Sequence, residues 1–200
     1  MMSEITVGKL QIIVPGIKLA RAQEVVTALN PVLDVLVTPK QTFQVGINTP
    51  LRQAHLIAQL AHESDGFKTY EEYASGRAYE GRRDLGNVHP GDGVRYKGRG
   101  WIEITGEFNY QAFKDDTGID IIDDPNDPAD DDDPKRASTP ENSAKIAVWY
   151  WTKHGLNKYA DADDIYTITR RINGGLNGLE SRETYLDRAY DAFGIETEPA

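Results

Sequence analysis

LRQAHLIAQLAHES, residues 51–64, has the apolar spacing of an amphipathic helix. Pro50 suits the first turn of that helix. Leu56, Leu60 and Glu63 follow one another at positions i, i+4 and i+7, so the glutamate continues an apolar stripe at the end of the helix. Partial burial there favours a neutral carboxylic acid, which is the form that a proton donor needs. From position alone, the alternative is an ordinary exposed glutamate at a helix terminus.

Helix-capping residues and apolar spacing predict three more helices, over residues 140–154, 165–173 and 179–193. Weaker helical patterns lie before Asn30 and at residues 108–115. The sequence contains no internal repeat and no linker rich in serine or glycine. We therefore expect a single domain that spans the whole chain.

The segment PGDGVRYKGRGWIEITG, residues 90–106, contains two short runs of residues that favour β-strands. These runs, residues 94–96 and 101–105, lie on either side of a glycine-rich turn and predict a small β-hairpin. The expected fold is therefore mainly α, of the α+β class. Its helical lobes would surround a substrate cleft, with the hairpin as one wall.

The 200 residues carry a formal net charge of −10 and include no cysteine. A nucleic-acid-binding face is basic, because its cations displace counterions from phosphates, so this charge argues against a nucleic acid partner. The absence of cysteine excludes disulfides and thiolate metal sites. Pro15, Gly16 and nearby basic residues interrupt the apolar residues of the amino-terminal segment. We therefore expect neither a cleavable signal nor a membrane span.

Much of the negative charge lies in DDPNDPADDDD, residues 123–133. A run of like charges is typical of a solvated loop. Calcium binding is the alternative, although the run lacks the glycine and the terminal glutamate of an EF-hand loop. No other metal site is expected, because His62 and Glu63 lack the second histidine of a zinc-protease motif, which would stand at Gly66.

Hydrolysis of a glycosidic bond requires two carboxyl groups, one to protonate the leaving oxygen and one to activate water or attack the sugar. Several acidic residues follow Glu63, among them Glu72 and Glu80. On one straight helix Glu63 and Glu80 would lie about 25 Å apart, whereas an inverting pair requires roughly 6.5 to 9.5 Å. The chain must therefore fold back, and Gly76 offers a break. Arg82 is placed to hold Glu80 in the ionised form that a general base needs.

Aromatic residues offer surfaces for stacking on sugar rings. Tyr73, Tyr79 and Tyr96 lie in loops around the presumed cleft and are the better candidates. Trp149, Tyr150 and Trp151 are consecutive on a predicted helix, where neighbouring side chains face different directions. One or two of these three are therefore expected in the core.

Four blocks, taken in order, resemble glycoside hydrolase family 19, which contains plant-type chitinases and phage endolysins. The blocks are AHESDGF (61–67), AYEGRRDLGN (78–87), PGDGVRYKGRGWIEITGEFNY (90–110) and RINGGLNGLESRETY (171–185). The resemblance spans about residues 51–193 and is greatest to the phage and bacterial branch. It implies a lysozyme-like fold, an inverting mechanism and one catalytic domain over residues 1–200, without a separate wall-binding domain.

The resemblance also implies roles for individual residues. It places the general acid at Glu63 and the general base most naturally at Glu80. Glu72 is the alternative base, because the loop differs in length from that of the plant enzymes. Thr105 is expected to help hold the attacking water.

Other residues are implied as sugar contacts or supports. Asn109 and Asn173 match asparagines that contact sugar, and Arg182 matches an arginine that supports the catalytic carboxylates through its charge. Glu103 departs from the pattern, because the family usually has glutamine at this position. An ionised glutamate only accepts hydrogen bonds, and it would place a third carboxylate in the cleft.

These features indicate an endolysin, a lysozyme-like or N-acetylmuramidase-like enzyme that cuts β-1,4 bonds between the N-acetylated sugars of peptidoglycan. A chitinase is the close alternative, because the same catalytic residues cut chitin oligomers. An alternative of another class is a glycan-binding protein that has lost catalysis. We expect a monomer without a cofactor and without stable membrane association. Such an enzyme would be made in the cytoplasm and would reach the cell wall after release by another agent.

Overall fold

The computed structural model describes residues 4–122 and 133–196, and helices dominate it. The helices and strands, in chain order, are α1 (Val7–Ile13), α2 (Leu19–Leu29), β1 (Val35–Val37), β2 (Thr42–Gln44), α3 (Pro50–Glu63), α4 (Asp92–Arg95), α5 (Glu107–Thr117), α6 (Pro140–Lys153), α7 (Asn157–Asp161), α8 (Ile165–Asn173) and α9 (Leu179–Phe193). Short 3₁₀ helices occupy Asn30–Val32, Arg77–Tyr79, Arg83–Leu85 and Asp133–Ser138. Most of the acidic run, residues 123–132, lies outside the described residues. The expectation about calcium binding concerns this part of the chain.

Helix α3 lies at the centre of the molecule. Its amino end is capped by the hydroxyl of Thr49, which accepts a hydrogen bond from the Arg52 amide, and Pro50 occupies the first turn. All its side chains from Gln53 to Ala61 are buried. A helix buried on nearly all sides needs neighbours on several faces, and α3 packs against both α9 and α7. Its carboxyl end is therefore held firmly where Glu63 emerges.

The predicted helices are confirmed, because local signals fix their ends. Thr139 accepts a hydrogen bond from the Asn142 amide at the start of α6, and Asp164 caps α8 in the same way. Gly174 ends α8 in the left-handed conformation, with a φ of 78°. The two weaker patterns correspond to α2 and α5.

The predicted position of the β-hairpin is wrong. The two-stranded sheet pairs β1 with β2, in the register Val35 to Gln44 and Val37 to Thr42. Residues 90–106 instead form α4 and a compact turn, in which Arg99 makes single bridges to two other residues. The physical reason is a close backbone contact, because a Cβ on Gly93 would lie 2.5 Å from the Glu80 amide nitrogen. This segment therefore packs against the preceding loop rather than forming a strand pair.

The amino-terminal segment shares the core of the motif-bearing region. Ile5, Leu10, Val25 and Leu29 are buried in the same hydrophobic cluster as the side chains of α3. Helix α1 packs on α9, and α2 packs on α6. Among the described residues, no helix combines the length and the apolar character that crossing a bilayer requires.

Candidate active site

A cleft of about 340 Å³ opens at the carboxyl end of α3. Residues from five parts of the chain line it, namely Glu63, Tyr79, Arg82, Leu85, Ile102, Glu103, Ile104, Thr105, Asn109, Tyr150, Ile172 and Asn173. Several of these residues carry polar groups that can orient a sugar, and others offer apolar surface. This mixture is typical of small-molecule and saccharide sites.

Glu63 is held by a buried arginine. Its side chain is 13% exposed, and Oε1 accepts a hydrogen bond from Nη2 of Arg182 at 2.5 Å. The Arg182 side chain is fully buried, and its Nη1 donates to Oε1 of Gln59. Gln59 in turn donates to the hydroxyl of Thr169, at 3.3 Å. This chain of contacts joins α3, α8 and α9 and fixes the direction of the Glu63 carboxyl group.

Glu72 and Glu103 meet beside Thr105. A Cβ added to Gly98 would lie 3.3 Å from Thr105 Oγ1, 3.3 Å from Glu103 Cβ and 3.4 Å from Glu72 Cδ, so the three side chains surround one point. Glu72 is oriented by two donors, the Gly98 amide at 2.9 Å and the Tyr79 hydroxyl at 3.0 Å. The Thr105 hydroxyl donates to the Glu103 carbonyl at 2.8 Å. A larger residue at position 98 would crowd these three side chains.

Glu80, the first choice for the general base from sequence, is not among the described residues that line the cleft. Its carboxylate accepts hydrogen bonds from the amides of Gly91 at 2.7 Å and Gly93 at 2.9 Å. These two bonds lower the pKa of Glu80. Arg82 does not hold Glu80 either, because it pairs with Asp84 at 2.5 Å. Glu80 therefore joins two loops. Glu72, the alternative, does not line the cleft either, but it contacts the cleft residue Tyr79, and its charge acts on Glu103.

Glu103 lies in the cleft as a third carboxyl group. Burial, together with the negative charges of Glu63 and Glu72, raises the pKa of Glu103 to about 7, while Lys97 acts in the opposite direction. Its backbone has a φ of 52°, which is uncommon for a residue with a side chain. Strain of this kind often occurs at functional sites.

The remaining expected sugar contacts divide into two groups. Asn109 and Asn173 line the cleft, and Asn109 also donates to the Thr105 carbonyl at 2.8 Å. Tyr96 does not line it, because its side chain is only 4% exposed and packs against Tyr110. A tyrosine in a loop cannot be assigned to surface or core without knowing how the loop packs.

Two aromatic residues, Tyr79 and Tyr150, line the cleft. Trp149 and Trp151 are buried in the core, whereas Tyr150 between them lines the cleft and donates to the Arg171 carbonyl at 2.9 Å. Consecutive residues of a helix face different directions, which explains why Tyr150 faces the cleft while its two neighbours face the core. Tyr79 also lines the cleft, through the hydroxyl that binds Glu72, whereas Tyr73 is 78% exposed.

The histidines have partners outside metal coordination. His55 lies 2.7 Å from Asp163, and His62 lies 3.0 Å from Ser181. In the described part of the chain, no three histidine, aspartate or glutamate side chains gather in a way that would hold a metal ion.

The relatives of the chain identify its family. A Haemophilus influenzae protein described as a glycosyl hydrolase family 19 domain-containing protein is 35% identical over an alignment of 173 residues, which covers 71% of this chain and 80% of that protein. The chain belongs to glycoside hydrolase family 19. An Arabidopsis thaliana endochitinase is 34% identical over 122 residues, which are 61% of this chain but 39% of that enzyme. No family model matches the sequence.

Solved structures of family 19 enzymes have the same fold as this chain. A bacterial family 19 chitinase has a TM-score of 0.66 at 19% identity, with 98% of both chains covered. Chitinase C from Streptomyces griseus has a TM-score of 0.63 at 20% identity, covering 98% of this chain and 79% of that one. The predicted lysozyme-like fold is confirmed, and this family 19 protein is a glycoside hydrolase of the lysozyme or chitinase type.

Replacing Arg182 with methionine should reduce both stability and kcat. The substitution keeps most of the side-chain volume but leaves Gln59 and Glu63 without their donor, so we expect a loss of about 3 kcal/mol in the free energy of unfolding. We expect kcat of the folded enzyme to fall at least tenfold, with partial recovery in Arg182→Lys. Urea unfolding and release of reducing ends measure the two effects. Arg188→Met, on the same helix, is the control, and an unchanged kcat in Arg182→Met would show that the arginine only supports folding.

Glu103→Gln should change the pH dependence of the enzyme. Below a pKa of about 7 the Glu103 carboxyl group is protonated and can donate, as the family glutamine does; above it, the group only accepts and repels the other two carboxylates. Activity of the wild type should therefore decline as pH rises through about 7, and the variant should lack this decline. Measuring kcat/KM from pH 4 to 9 tests this, and superimposable profiles would contradict it.

Stability gives an independent measure of the same ionisation. The folded-state pKa of Glu103 is raised above its ordinary value of 4.5. The contribution of the protonated Glu103 side chain to the free energy of unfolding is therefore complete below about pH 4.5 and is lost as pH rises through about 7. The Tm of Glu103→Gln relative to wild type should therefore increase between these two pH values.

Proposed function

We propose that this protein hydrolyses the β-1,4 bonds between the N-acetylated sugars of peptidoglycan by an inverting mechanism. Glu63 is the general acid and Glu72 is the general base. The main support for the proposal is that the two glutamates lie near the same third residue, Glu103. Both lie close enough to Glu103 for their charges to raise its pKa, and Glu72 also lies beside Thr105. An inverting glycosidase needs such a pair, with space for one water molecule.

The contacts of each glutamate suit its proposed role. Arg182 binds only Oε1 of Glu63, and among the described residues Oε2 has no hydrogen-bond partner. This second oxygen is left to donate its proton to the glycosidic oxygen. Glu72 is held by the Gly98 amide and the Tyr79 hydroxyl, so its direction is fixed before substrate binds. Thr105, with its hydroxyl beside Glu72, helps to hold the attacking water.

The proposed substrate is peptidoglycan rather than chitin. The four sequence blocks that resemble the phage and bacterial branch of the family support peptidoglycan. Chitin is the second candidate, because two relatives from Arabidopsis thaliana are named endochitinases. Asn109, Asn173 and Tyr150 would contact the sugars in either case, since both polymers contain β-1,4-linked N-acetylated units.

We also propose that the protein acts as a monomeric endolysin within a single catalytic domain. It would be made in the cytoplasm and would reach the cell wall through another agent, such as a phage-encoded pore. The alternative of a glycan-binding protein without catalysis is less well supported, because a binding module has no need for a buried arginine that orients one carboxyl group. Activity measurements distinguish these alternatives directly.

Glu63→Gln and Glu72→Gln should each lower kcat by about 10²- to 10⁴-fold, because each removes one half of the acid and base pair. Glu80→Gln is the matched control and should keep most of the activity. Purified peptidoglycan and chitin oligomers should be digested side by side, with reducing ends counted and products analysed by mass. Proton NMR of the first products should show inversion at the anomeric carbon.

Three results would contradict parts of this proposal. Equal release of reducing ends by wild type and Glu63→Gln would exclude the enzyme mechanism. Loss of activity in Glu80→Gln together with an active Glu72→Gln would return the base to Glu80. Cleavage of chitin oligomers without cleavage of peptidoglycan would favour the chitinase.

A further inference from the structure

A second cavity, of about 490 Å³, lies where α1 meets α2 and is called here the amino-terminal cavity. The residues of its wall that matter most are Val14, Ile17, Lys18, Arg21, Lys68 and Tyr185. Its floor includes Gly66, whose φ is 66° and where an added Cβ would lie 3.0 Å from a methyl group of Val14. A side chain at position 66 would therefore fill part of the space.

The wall of this cavity is basic, although the whole chain carries a net charge of −10. Lys18, Arg21 and Lys68 line it, and Asp65 is the single acidic residue of the lining. Lys68 pairs with Asp65 at 3.1 Å, so this ion pair is neutral overall. Lys18 is exposed, and its side chain has no hydrogen bond or ion pair among the described residues. A positive charge thus remains available to a ligand.

Arg21 is also only partly satisfied. Its Nη1 lies 3.0 Å from Oε2 of Glu24, but this buried nitrogen has no aligned hydrogen-bond acceptor. The guanidinium group stacks over the ring of Tyr70, with 4.5 Å between its central carbon and the ring centre. Stacking fixes the plane of the guanidinium group, so a carboxylate that enters the cavity would meet it in one orientation.

The amino end of α2 adds a third source of positive potential. Lys18 stands at the N-cap position, no side chain among the described residues caps the helix, and its first turn contains no acidic residue. The first amide groups of a helix lack internal partners and carry a partial positive charge. In α2 these groups begin at Leu19, directly after the cavity-lining residues Ile17 and Lys18.

The wall of the amino-terminal cavity is linked to the catalytic cleft through Asp65 and Tyr73. Asp65, in its wall, follows Glu63 by two residues, which limits the separation of their Cα atoms to about 8 Å. The Tyr73 hydroxyl donates to Oδ2 of Asp65 at 3.1 Å, and the charge of Glu103 in the cleft influences the same tyrosine. Part of the cavity wall therefore lies near the catalytic cleft.

We propose that the amino-terminal cavity binds the carboxylate-bearing stem peptide of peptidoglycan, an inference that rests on the proposed function. The peptide is joined through a lactyl ether to alternate sugars and carries free carboxylates and small methyl side chains. Lys18, Arg21 and the α2 amides would bind a carboxylate, while Val14 and Ile17 would contact the methyl groups. An extended peptide spans about 3.3 to 3.6 Å per residue, so two or three residues suffice to reach the cavity from the cleft. Chitin has no such branch.

The test compares glycan strands that keep their stem peptides with the same strands after an amidase has removed them. In the Lys18→Gln/Arg21→Gln variant, kcat/KM on the intact strands should fall about fivefold, whereas kcat/KM on the stripped strands should change less than twofold. Lys114→Gln/Lys158→Gln removes two positive charges outside the cavity and should have wild-type selectivity. Lys18→Glu, at an exposed position, provides a second variant with little risk to folding.

A binding measurement complements the kinetics. A soluble tetrapeptide, L-Ala-γ-D-Glu-meso-diaminopimelate-D-Ala, should shift the NMR signals of residues 16–21 in the wild type and should shift them much less in both Lys18 variants. An equal kinetic effect on both kinds of strand, or no effect together with no NMR shifts, would overturn the inference and leave the proposed function intact. If the wild type cuts neither kind of strand, the proposed function fails as well.

Discussion

The contact between Arg182 and Glu63 is the constraint on which the active site depends. A fully buried guanidinium group requires a fixed set of acceptors, because an unpaired charge in the interior is strongly unfavourable. Arg182 finds these acceptors in Gln59 and Glu63, one helical turn apart on α3. The packing of α3 against α9 is thereby fixed in register, and the Glu63 carboxyl group is oriented from behind. The open side of that group faces the cleft.

The cleft concentrates negative charge around this fixed point. Glu63, Glu72 and Glu103 are close enough for their charges to interact, and Lys97 is the cation that opposes them at Glu103. Lys97 is itself held by the carbonyl oxygens of Glu72 and Ala74, at 3.1 and 3.0 Å. The raised pKa of Glu103 is thus a consequence of the same geometry that brings Glu63 and Glu72 near it. A neutral glutamine at this position would remove one charge without removing the pair.

The helices were predictable because local chemistry specifies them. The cap at Thr139 and the left-handed Gly174 mark helix ends within the sequence itself. The environment of each candidate base, Glu72 or Glu80, was not predictable in this way. It depends on how Gly93 packs against the backbone of Glu80 and on the hydrogen bond from the Gly98 amide to Glu72. Such contacts between loops have no periodic signature in the sequence, and the same reason explains the errors at Tyr96 and in the hairpin.

The most direct test is the structure of the Glu63→Gln variant bound to an oligosaccharide of β-1,4-linked N-acetylated sugars. The account predicts that a glycosidic oxygen lies within hydrogen-bond distance of residue 63. It also predicts that a water molecule between Glu72 and Thr105 faces the anomeric carbon from the opposite side. A sugar bound elsewhere, or an attacking water held by Glu80, would contradict the account.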